Sequence, residues 1–162
     1  MNEQDCAGEN AFWTYSLAVY RRKEVVHSCL ALQDNAGVDV NLLLYAGWLA
    51  GKGQRLDSYH LEQVASAVAD WREQVVKPLR GLRRHLSTIA GAELFCEALK
   101  AQELSAEQQQ QDTMYSCYRA LHALPAGEHC LRENLTMVCR YSNPRAAALP
   151  DSLESLVLAL AR

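Results

Sequence analysis

The segment VDVNLLLYAGWLAGK, Val38 to Lys52, decides how this chain folds, because from Leu42 to Ala50 it carries no polar side chain except the Tyr45 hydroxyl. A stretch so apolar must be buried. It falls well short of the roughly 18 residues a membrane span needs, so the neighbours that bury it must come from the protein itself. Asp39 stands where a helix N-cap is wanted and Gly51 and Gly53 where a helix stops, so the segment predicts a central helix over about residues 39–51.

The composition agrees. The 162-residue chain holds 24 Leu, 23 Ala and 11 Val but one Ile and four Thr, so helix formers far outnumber strand formers. The predicted fold class is all-α, a compact multi-helix bundle around the central apolar helix. The domain reading is a helical bundle over residues 1–142, a short linker at 143–150 (NPRAAALP), and a C-terminal amphipathic helix over 151–162 packed on the same domain.

Outward from the centre, Asn10 caps a first helix to about Arg21, and a second runs from Arg22 or Lys23 to Asn35, stopped by Gly37. Leu61, Val64, Val68, Trp71 and Val75 recur at steps of three and four behind an Asp57 or Ser58 cap. Pro78 should end or kink that helix before Leu79, Leu82 and Leu86 resume the pattern. A short helix at about 93–102 follows, then one opened by a Ser105/Gln108 capping box and running to about Leu124, and a further helix at about 128–141. Leu153, Leu156, Val157 and Leu160 make the last apolar stripe.

The N-terminus MNEQDCAGEN is polar and acidic, with no apolar core of a signal peptide, which points to the cytoplasm. The six cysteines never stand in C-x-x-C spacing and are read as reduced structural thiols. No catalytic residue, metal ligand or cofactor is assigned. There is no Gly-x-Ser-x-Gly and no phosphate-binding glycine loop. Glu24-x-x-His27 lacks the companion carboxylates of a di-iron bundle, and His122, His129, Cys117 and Cys130 lack a zinc half-site.

Charge is uneven although the net value is only -3. Arg72, Lys77, Arg80, Arg83 and Arg84 face a single acidic residue, Glu73, in the stretch 72–84, whereas Glu93, Glu97, Glu103, Glu107 and Asp112 outweigh Lys100 over 93–112. The acidic balance and missing recognition motifs speak against nucleic acid. Asp34, Asp39 and Asn41 flank the turn before the central helix. Of these, an inward-facing Asp34 would need an arginine, with Arg72, Arg80, Arg83 and Arg84 as candidates. Arg80 and Arg84, one turn apart, would project together from one face.

Three segments carry a family resemblance: FWTYSLAVY (Phe12 to Tyr20), CLALQDNAGVDVNLLLYAGWLA (Cys29 to Ala50) and WREQVVKPLRGLRRHL (Trp71 to Leu86). Over about the first 90 residues the chain resembles an uncharacterised, mainly gammaproteobacterial family of small all-helical proteins, a domain of unknown function. The resemblance implies no activity, and it directs attention to Asp34, Asp39, Asn41, Arg72 and Arg80 as the polar members of those segments.

Two functions are therefore weighed. The first is a cytoplasmic adaptor that binds another protein, a helix or an extended peptide, in a groove or on a charged face. The alternative is a helical bundle that binds a small ligand, with or without enzymatic turnover, using Asp34 and the arginine cluster.

Overall fold

A computed structural model describes residues 10–144 and 150–162. Cys6 and most of the 143–150 stretch read as a linker lie outside the described residues. The chain is all-α. Among the described residues the one β feature is an isolated antiparallel bridge between Gln54 and Ala126.

Asn10, Asp39 and Asp57 each open a helix with a side-chain cap. Asn10 Oδ1 accepts the Phe12 and Trp13 amides and opens α1, Ala11–Val19. Helix α2, Lys23–Ala36, ends at Gly37, whose φ of +66° is the left-handed conformation that costs glycine nothing. Asp39 then accepts the Asn41 amide at 2.9 Å and opens α3, Val40–Gly51. Every residue from Asn41 to Leu49 is buried. Gly47 sits where side chains of α1 and the C-terminal helix meet α3: a Cβ there would lie 2.7 Å from Tyr15 Oη and 3.1 Å from Leu160 Cδ1, so any other residue would require those two side-chain tips to move.

Helix α4, Ser58–Trp71, opens with Asp57 Oδ1 accepting the His60 amide. It passes into a π-helical turn, Arg72–Val76, and then into α5, Lys77–Leu86. The α-helix expected to end or kink at Pro78 ends earlier, at Trp71, and resumes as α5 after this turn. Lys77 N–H reaches Arg72 O, five residues back, and the wider ring accommodates a proline that has no N–H of its own to offer. Helix α6 is a single element, Glu93–Ala120, where two helices were expected. Helices α7, Leu131–Ser142, and α8, Pro150–Leu160, complete the chain.

The chain divides into two units. Residues 10–61 with 122–144 and 150–162 form the first, and Glu62–Leu121 the second, the division falling inside α4. In the first, α3 packs on α1, α2 and α7, while α8 lies on α2 and α7. Phe12, Tyr45 and Trp48 form an aromatic cluster with ring centroids 5.3–5.8 Å apart. Burial pushes the Cys29 thiol up to about 12 and the Cys139 thiol to about 11, so both act as small apolar groups. In the second unit, α5 and α6 form a helical hairpin joined through residues 87–92.

His60 adds a titratable group to the interior of the first unit. It is fully buried, its Nε2 shares a 2.7 Å hydrogen bond with Tyr45 Oη, and its Nδ1 has no partner. Burial lowers its pKa, and His122 adds to the shift while Asp57 opposes it. The unfolded chain therefore takes up a proton near pH 6.5 that the native protein still refuses, and stability present above that pH is lost as pH falls below it. Melting curves between about pH 7.5 and 5 should show this loss. His60→Gln should flatten it, and equal pH slopes in the two proteins would show that His60 carries none of it.

Candidate functional site

The basic segment and the acidic segment meet in the α5–α6 hairpin. The reason is the spacing of α6: Leu99, Glu103, Ala106, Gln110 and Met114 recur at helical steps and are all buried. Glu103 thus points into the hairpin among arginines. Its carboxylate accepts from Arg80 Nε at 3.1 Å and from Arg83 Nε, and Glu107 Oε1 accepts from Arg80 Nη2 at 2.8 Å. The two arginine side chains are 18% and 25% exposed and that of Glu103 is 10% exposed. Burial works against the charge on Glu103, but Arg83 and Arg80 outweigh it and hold the carboxyl below its usual range. One turn away, Trp71 Nε1 donates to Ala106 O at 2.9 Å and ties the end of α4 to α6.

This geometry corrects the expected arginine pair. Arg80 is joined to Arg83, not Arg84, because the face of α5 turned toward α6 passes between 80 and 83, and Arg84 is left exposed. Arg72 lies against Glu73, itself an exposed residue that also pairs with Lys77. Asp34 is exposed on α2, with Gln33 Nε2 at 3.4 Å from its Oδ1, so it is not a buried carboxylate in want of a guanidinium. Asp39 and Asn41 are brought together as cap and first turn of α3.

The sequence reading passed over two features of this hairpin. Glu103 falls between the two helices expected at about 93–102 and from Ser105, and its signal is the unbroken step pattern from Leu99 to Met114. The other is apolar exposure at the loop end of the hairpin. Leu82 on α5, Ile89 in the connection, and Leu94 and Phe95 at the start of α6 all stand in solvent, Leu94 at 89% and Phe95 at 60% exposed. Single exposed apolar residues are ordinary, but Leu94 and Phe95 are two consecutive large side chains left mostly in solvent at the start of a helix.

Outside the hairpin, Asp57 Oδ2 holds His122 Nε2 at 2.9 Å, with the Tyr59 ring 5.7 Å from that of His122. His60 is too enclosed to meet a substrate. Among the described residues no three His, Cys, Asp or Glu side chains stand close enough to hold a metal ion. Nor is any helix among them long and apolar enough to cross a membrane.

Fold and surface together define an all-helical protein with a charge-clamped hairpin and an exposed apolar end. The chain belongs to a family of unknown function: the family model described as "Protein of unknown function (DUF2390)" matches residues 11–114, from α1 into α6. No curated protein and no solved structure matches the chain.

Proposed function

We propose that the chain is a protein-interaction module, a cytoplasmic adaptor whose partner docks on the loop end of the α5–α6 hairpin. The observation that carries this reading is the exposure of Leu94 and Phe95 at the start of α6, with Leu82 and Ile89 of the same hairpin also exposed. Desolvated large apolar and aromatic side chains supply most of the energy of protein interfaces. The Glu103 clamp supports it further, because a hairpin fixed by ion pairs presents its end without an ordering cost on binding. The ligand-binding alternative draws less support. Arg80 and Arg83 already hold carboxylates, so an incoming anion would have to displace Glu103 or Glu107.

The test is a photo-crosslinking residue at position 94, used in a bacterial lysate. A specific protein adduct is expected, reduced by at least about tenfold when Phe95→Glu and Leu82→Glu are added, since losing two central apolar contacts costs about 1–2 kcal/mol each or more. Circular dichroism should be unchanged, both side chains being exposed. An adduct insensitive to both substitutions would place the docking surface elsewhere.

A further inference from the structure

We draw no further inference here: the strongest candidate, the side-chain cluster at the start of α4 where Asp57 Oδ2 holds the exposed His122 Nε2 at 2.9 Å beside Tyr59 and the buried His60, carries nothing, because among the described residues no three His, Cys, Asp or Glu stand close enough to hold a metal ion and nothing in the structure shows what the pair would act on.

Discussion

Asn134→Ala should cost about 3–5 kcal/mol, one of the two largest losses expected from a single substitution in this protein. Asn134 sits on α7, wholly buried, and ties three points of the chain together. Its Oδ1 accepts the Leu56 amide at 2.9 Å, and its Nδ2 donates to Gln54 O at 3.0 Å and Ala46 O at 3.3 Å. The segment after α3 has only a single β-bridge, in which Arg55 N–H donates to Pro125 O and Gly53 O accepts from Gly127 N–H, so the Leu56 amide and Gln54 O are satisfied by this side chain. Truncation leaves the Leu56 amide buried and unpaired, a penalty of about 1–3 kcal/mol, and opens a cavity against α3. Gln54 O keeps the Cys130 thiol as a donor at 3.2 Å, which limits the damage at that end. Asn134→Asp keeps the acceptor for Leu56 but turns a carboxylate toward two carbonyl oxygens, so it should be no milder. Urea unfolding measures the loss, and amide exchange at Leu56 locates it. A loss under about 1 kcal/mol with Leu56 still protected would mean that the loop holds itself.

Why Asn134 was invisible in the sequence is a matter of range. Its partners lie 78 to 88 residues away, and nothing local to RENLTM announces them. The central helix was legible because its signal is local and redundant: an unbroken apolar run, a capping Asp39, glycines at the end. The same holds for the Asn10 cap and the Gly37 stop. Helix α6 was misread for the opposite reason. Ser105 and Gln108 imitate a capping box, while Glu103 and Gln110 put polar residues on the buried face and hide its period. With the helix cut at 102–105, Glu103 fell into a turn, and the arginines lost their partner on paper. The division into two units was equally silent at its first crossing, between Leu61 and Glu62, which falls within the continuous α4 with no glycine or proline to mark it, whereas the second, between Leu121 and His122, lies just past the end of α6 and close to Pro125 and Gly127.

Glu103→Ala is the other large effect, about 3–4 kcal/mol, and it separates the two ways of regarding the arginine cluster. In the hairpin, Glu103 is the carboxylate common to Arg80 and Arg83. Without it Arg80 still has Glu107, but Arg83 loses its ion-pair partner in a partly buried position, and a buried charge stripped of its partner costs far more than the pair contributed. Glu103→Gln retains the shape and one acceptor oxygen and should fall between wild type and Ala. Replacing the cluster as a whole, with Glu103→Leu, Arg80→Met and Arg83→Leu, removes the need for pairing and should recover most of the loss. The pH dependence follows from the same carboxylate. Its pKa is held below the usual value, so its contribution is complete above about pH 4.5 and is lost as pH falls through the lower native value. Chemical denaturation of the three variants, with crosslinking from position 94 measured beside it, decides the matter. If Glu103→Ala leaves stability within about 0.5 kcal/mol of wild type, the arginines are not a clamp but a surface cluster, open to an anion. If stability drops and crosslinking from position 94 drops with it, the clamp is what holds the hairpin end in shape for its partner.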